Sequence, residues 1–404
     1  MGRLQSLRTS GSALWSDGRG VILLAIAGGW GLSVGGRMIY SVLLPEIRQS
    51  YNIDLATAGV LLSVLFLSYA LGQLPGGLLA DRIGEKSTLV LSMLLSAVAV
   101  ALILLANSVA FLFVATGVFG LGIGLYTVAR FTALSTIYSE LFGTAVGLTN
   151  AASEIGQALL PPLAAAIAVT VGWQFGFGFT LPLFVLLAVA LWMLVPSHQN
   201  DQVQAVDTLS VETGKYIIRS LRHPQIVSGT AVFVIGVGIW QAFTGFYPTY
   251  LVEVKGLSTT TAGVLFGLFF AFSAIMHPLS GIVYDRWGVR HTIGLSSISV
   301  VGFFSLPIID GVILLIVATL ILSTLLGYAT ALEAYLVGSL PDDMEGTGFG
   351  ILRTFVFTIG AGSPILFGWV ADQGYFDEVF VILGGLLVMM VIIGLQLPSA
   401  KYET

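Results

Sequence analysis

The chain has 404 residues, 56% of them hydrophobic and 9% charged, with a net charge of −5 and no cysteine. A water-soluble protein carries about a quarter of its residues charged, so most of this surface faces something other than water. The missing cysteines exclude disulfides, thiolate metal sites and cysteine nucleophiles.

The first 18 residues are polar, with Arg3 and Arg8, and carry no cleavable-signal pattern. Apolar runs of about 20 residues follow, each long enough to cross a bilayer as a helix. They predict membrane helices near 20–44, 56–79, 87–106, 110–138, 144–168 and 174–195. After a polar stretch, Pro196 to Pro224, six more are predicted near 226–251, 259–283, 291–309, 312–338, 347–370 and 378–397. The runs lack the alternation of lipid-spanning strands. The expected fold is therefore an all-α integral membrane protein with twelve transmembrane helices in two pseudo-symmetric six-helix bundles. Residues 1–195 form the N-terminal bundle, 196–224 a cytoplasmic linker and 225–404 the C-terminal bundle.

Twelve crossings put both termini and every second loop on one side. That side holds Arg3, Arg8, Arg19, Arg82, Lys86, Lys215, Arg219, Arg222, Arg286, Arg290 and Lys401, and the opposite loops hold Arg48 and Lys255. Eleven against two predicts cytoplasmic termini and a multi-pass protein of the plasma membrane.

The chain also repeats itself. "TAGVL" at 57–61 returns at 261–265, an offset of 204, and the same offset carries Gly77, Asp81, Arg82 and Gly84 onto Gly281, Asp285, Arg286 and Gly288. "GTAVG" at 143–147 matches "GTGFG" at 346–350, an offset of 203. Two halves of common origin are expected, and such repeats are typical of secondary transporters with a solute site between the halves. Each charged interruption follows the second helix of its half. Its glycine at 77 or 281 would let a helix approach closely. Its aspartate at 81 or 285 would accept from amides at a neighbouring helix N-terminus, and Arg82 and Arg286 would anchor to headgroups.

"GGLLADRIGEK" and "SGIVYDRWGVR" resemble the paired loop signatures of the major facilitator superfamily, as do "GLGIGLY" (120–126) and Gly172–Trp173. Gly147, Gly156 and Pro161 are similar to the family's antiporter motif, with Leu160 and Thr116 departing from the antiporter pattern. The resemblance implies alternating access, with Asp81 facing the eleventh helix near Gly346 and Asp285 the fifth near Gly143, so that these loops gate the cytoplasmic side. It also implies that the first, fourth, seventh and tenth helices line the cavity.

Charges at membrane depth are expensive and become functional candidates. Arg37 lies on the first helix, Arg130 on the fourth, Glu154 on the fifth, Glu333 on the tenth and Arg353 on the eleventh. Counting residues from the hairpin turns puts Arg130 level with Glu154 and Glu333 nearly level with Arg353, at about 1.5 Å per residue. Two ion pairs of opposite polarity are expected. They either hold helices together or let Glu154 or Glu333 exchange a proton as a partner moves; Arg353 also lies within reach of Asp342 or Asp343. Arg37 either snorkels outward or binds an anion through its bidentate fork. Its setting, "GGRMIYSVLLPEI" (35–47), resembles the first helix of the anion:cation symporters, with Gly36 where that group places an acid. Tyr40, Tyr126, Trp240, Gln241, Tyr247 and Tyr328 are candidates for hydrogen bonds and aromatic walls around the solute, and His277 reads as structural.

The expected function is secondary active transport of a small organic anion coupled to protons or sodium, by a monomer using no cofactor and binding no nucleic acid. Arg37 and Arg130 are expected to hold the anion with Glu333 also at the solute site, Glu154 or Glu333 to couple, and the paired loops with Arg353 to gate. Two alternatives stand beside it. One is a multidrug/proton antiporter, favoured by the antiporter-like fifth helix and the aromatic seventh ("WQAFTGFYPTY", 240–250). The other is a non-transporting membrane sensor on the same fold. No phosphate-binding "GxxxxGK[ST]" loop is present to support an ATP-driven pump.

Overall fold

A computed structural model describes residues 18–197, 223–340 and 345–398. The linker from 198 to 222, Asp342, Asp343 and the basic residues of both chain ends lie outside the described residues. The first half contributes α1 (Arg19–Tyr51), α2 (Leu55–Ile83), α3 (Glu85–Leu104), α4 (Val109–Ile137), α5 (Phe142–Val171) and α6 (Trp173–Leu194). The second contributes α7 (Pro224–Glu253) and then a run of 47 residues, Thr259–Ser305, too long for one crossing. The run is broken at Gly288, whose φ of 79° and ψ of 179° are non-helical, giving α8 (259–287) and α9 (289–305). Then come α10 (Val312–Ser339), α11 (Gly348–Asp372) and α12 (Phe376–Leu395). The described residues thus supply the twelve helices expected.

The repeated loop is explained in part by this turn. Gly84, between α2 and α3, has φ 84°, and Gly288, its repeat equivalent, has φ 79°. Both lie in backbone that only glycine adopts readily. The next turn repeats too: the hydroxyl of Thr88 donates to Gly84 O at 3.0 Å and that of Thr292 to Gly288 O at 3.1 Å.

The chain packs as two units. Among the described residues, 18–39 and 68–197 form unit 1, and 40–67, 223–340 and 345–398 form unit 2. The tip of the α1–α2 hairpin therefore belongs with α7 to α12, while the rest of both helices belongs to unit 1.

Within unit 1, small residues let backbones touch. A Cβ added at Gly156 of α5 would lie 2.1 Å from Gly31 O, one at Gly35 would lie 2.4 Å from Gly156 O, and one at Gly124 would lie 2.5 Å from Tyr69 O. These glycines fix the α1–α5 and α2–α4 crossings, where hydrocarbon supplies no hydrophobic drive and packing decides. The close approach expected at Gly77 falls one residue earlier. A Cβ on Gly76 would meet Leu125 Cα at 2.8 Å, Gly77 makes only ordinary contact with Val128, and Gly281 meets nothing within 4 Å.

Unit 2 is built around an aromatic core. Phe243 lies 4.7 Å from Tyr247 and 5.1 Å from Phe269 by ring centroid, and Phe246 stacks 4.8 Å from Phe367. Opposite faces of the helices expose large apolar side chains, such as Leu74 (70%), Met193 (75%) and Ile313 (78%), as lipid contact requires.

Candidate functional site

Helix α1 turns different faces to different tasks. Gly31 and Gly35 meet α5, Gly29 and Gly36 meet side chains of α4, and Trp30, Ser33 and Arg37, at i, i+3 and i+7, share a third face. Arg37 is 5% exposed, and its guanidinium carbon sits 4.7 Å from the centroid of the Tyr69 ring of α2. One turn further along α2, Gln73 is buried with an amide nitrogen that has no hydrogen-bond partner among the described residues, and the same holds there for the Trp30 indole nitrogen and the Ser33 hydroxyl. Snorkelling to a headgroup does not describe Arg37: it is buried within unit 1.

Arg130 of α4 is 2% exposed. Its guanidinium lies 4.2 Å over the Trp30 ring and 4.4 Å over Phe131, and Nη1 donates to Thr149 Oγ1 at 2.8 Å and Asn150 Oδ1 at 3.1 Å. These neutral acceptors on α5 were missed in the sequence, because residue counting gives depth and not rotation. Glu154, one turn beyond them, accepts from Gln157 Nε2 at 3.4 Å. Trp30 also stacks on Tyr126, with ring centroids 6.3 Å apart and planes at 7°. The Tyr126 hydroxyl, expected to face a solute, instead donates to Ile26 O at 2.8 Å and braces α4 on α1. Two buried guanidinium groups, each against an aromatic ring, thus sit in unit 1. Cation–π contact of this kind is strongest when desolvated.

In unit 2 the predicted pair forms: Arg353 Nη1 lies 3.2 Å from Glu333 Oε1, with both side chains partly accessible. Gln241 is fully buried, and neither its amide nitrogen nor its oxygen has a hydrogen-bond partner among the described residues. Trp240 lies 6.1 Å from Phe66, and Tyr40 is fully buried. Tyr328 packs edge-on to Phe233 at 6.4 Å and closely against Gly236, which makes it part of the unit 2 core. Tyr247 bonds Thr319, and His277 Nδ1 lies 3.1 Å from Thr330 Oγ1, in keeping with a structural histidine. The loop residues Asp81, Arg82, Asp285 and Arg286 are exposed. No group of three or more metal-ligating side chains occurs among the described residues.

The family model described as Major Facilitator Superfamily matches residues 26–363 and 258–402. The chain is 24% identical to the hexuronate transporter of Bacillus subtilis, over 87% of this chain and 88% of that one. It is 26% identical to a probable sulfoacetate transporter of Cupriavidus necator, over 87% of each. It is 24% identical to a probable nitrate transporter of Staphylococcus carnosus, over 88% and 92%. Among solved structures, its fold is similar to that of a D-xylose-proton symporter, with TM-score 0.77, 16% identity and coverage of 94% and 98%. A bacterial homologue of the human lysosomal transporter Spinster gives TM-score 0.78 at 15% identity, covering 94% and 97%. Twelve apolar helices, a duplicated charged turn and a family model that spans both halves lead to one conclusion: the chain belongs to the major facilitator superfamily and is a multi-pass membrane transporter.

Proposed function

We propose that this transporter is an ion-coupled symporter of small organic anions in the plasma membrane, with both termini cytoplasmic. The observation that carries the reading is the pair of buried guanidinium groups in unit 1. Arg37 and Arg130 are each 5% exposed or less, and both sit at membrane depth on helices that the family resemblance assigns to the cavity. Charge held there calls for a function, and the guanidinium fork fits carboxylate or sulfonate. The names of the relatives, hexuronate, sulfoacetate and nitrate transporters, run in the same direction. Gln241, with both amide atoms unpartnered among the described residues, is assigned to a hydroxyl or carbonyl of the solute. Glu333, paired with Arg353, or Glu154 is assigned to the coupling proton. The duplicated loops, Gly77 to Gly84 and Gly281 to Gly288, are assigned to the cytoplasmic gate.

The two features behind the antiporter reading also have packing roles. Gly156 of the antiporter-like motif is used in the α1–α5 crossing, and the aromatic residues of α7 fill the unit 2 core. The test is flux into proteoliposomes of a hexuronate, sulfoacetate and nitrate against a lipophilic cation, with and without inward proton or sodium gradients. Gradient-stimulated uptake of an organic anion is expected; movement of the cation alone would overturn the reading.

A further inference from the structure

The tip of the α1–α2 hairpin is tied into unit 2 at more points than packing alone requires. Helix α2 crosses α11 backbone to backbone: a Cβ on Gly59 would lie 2.3 Å from Pro364 O, and one on Gly368 would lie 2.2 Å from Leu55 O. One turn beyond Gly368, Asp372 Oδ1 accepts the backbone N–H of Leu55 at 3.1 Å, at the first residue of α2. Arg48 pairs with Glu253 at the end of α7, and the Thr259 hydroxyl, at the start of α8, donates to Glu46.

The Asp372 contact is not needed to start α2. Asp54 already caps that helix, accepting the Thr57 N–H at 2.7 Å. The repeat makes the contrast sharper. Helix α8, the equivalent of α2, is capped by Ser258, whose hydroxyl accepts the Thr261 N–H at 3.1 Å. The first-half residue at the 203 offset from Asp372 is Val169, 63% exposed and without a polar group. A second, distant cap on an already capped helix adds attachment between α11 and α2. Such a carboxylate is favoured by the helix dipole.

Resting on the orientation proposed above, we propose that Asp372 is the positioning residue of an outer latch, which holds the α1–α2 tip on the second half while solute is exchanged with the cytoplasm. Opening to the outside then breaks the Asp372–Leu55 hydrogen bond, the Arg48–Glu253 pair and the Glu46–Thr259 bond together, and separates the Gly59–Gly368 crossing.

The cysteine-free chain gives a clean background for the test. Thr249 of α7 is fully buried, its hydroxyl has no partner among the described residues, and it lies one turn beyond Gly245, whose added Cβ would meet Leu62 of α2 at 2.9 Å. In Thr249→Cys proteoliposomes, labelling by a membrane-impermeant maleimide from the outer face reads the opening of the latch. Asp372→Ala is expected to speed labelling about fivefold, the size of a lost helix cap, and Asp372→Asn, which still accepts the hydrogen bond, to stay within about twofold of the parent. Gly368→Ala, whose methyl meets backbone, is expected to speed it as well. Unchanged labelling in Asp372→Ala overturns the proposal, as does equal acceleration by Asp372→Asn. Ser50→Cys, exposed beside the hairpin turn, reports orientation separately. Labelling of Ser50→Cys only from the face opposite would overturn the topology and the outer placement with it. Monodisperse elution of each variant separates opening from unfolding.

Discussion

The Arg130 guanidinium lies face-on to the Trp30 indole, 4.2 Å from the ring centroid, while its Nη1 bonds Thr149 and Asn150. One side chain thereby links α4, α1 and α5 of unit 1, and the Tyr126 ring stacks on the same Trp30. A guanidinium so placed is already oriented, which would reduce the ordering required of an anion bound there as proposed.

Replacing Trp30 with Leu removes that support and leaves the charge. Uptake should continue with KM raised about tenfold, corresponding to about 1.4 kcal/mol for a desolvated cation–π contact. Initial-rate measurements against anion concentration check it, and an unchanged KM would show that the stack plays no part in binding.

Arg130→Lys keeps the charge and loses the fork. Lysine neither stacks flat on indole nor bonds two oxygens in one plane. Uptake should fall at least about tenfold, with the purified protein still monodisperse.

Glu333→Gln should separate coupling from movement. If the carboxylate carries the proton, the variant exchanges internal for external anion at near the parent rate but no longer accumulates it when a proton gradient is imposed. Preserved gradient-driven accumulation would shift the coupling role to Glu154, for which Glu154→Gln is the parallel test.

Gly288→Ala places a side chain at φ 79°, ψ 179°. Backbone strain there costs about 1–3 kcal/mol, and Gly84→Ala should behave alike, because its φ is 84°. A fall in the unfolding midpoint of the detergent-solubilised variants measures both. Alanine at Gly281, which has open space around it, should leave the midpoint unchanged.

Asp54 gives the acid limb of stability a local contribution. Hydrogen bonds from Thr57, hydroxyl first and amide second, hold its carboxyl below the usual carboxylate range. A depressed folded-state value means stability that is present above the unfolded value, about 3.9, and is lost as pH falls through the folded one. The difference in midpoint between the parent and Asp54→Ala should therefore be present at neutral pH and vanish in strong acid. Because Asp54 is almost wholly exposed, the difference is small.

Much of this was legible in the sequence because apolar length and repeat offset are one-dimensional signals. The twelve helices, the shared turn at Gly84 and Gly288 and the Glu333–Arg353 pair all follow from them. What failed depends on rotation about helix axes. Whether Gly76 or Gly77 meets α4, whether Tyr126 faces a solute or the Ile26 carbonyl, and that Thr149 and Asn150 receive Arg130 are differences of about 100° per residue, invisible to hydropathy. The allegiance of 40–67 to the second half was illegible for another reason. It depends on Gly59, Gly368 and Asp372, residues hundreds of positions apart whose types alone carry no sign of contact.

The central claim is that the two buried arginines of unit 1 hold the transported anion. Its most direct measurement is organic-anion uptake into proteoliposomes by Arg37→Ala and Arg130→Ala beside the parent, at matched insertion. The account predicts that both lose uptake to the level of empty liposomes while remaining folded; uptake within about twofold of the parent in either would contradict it.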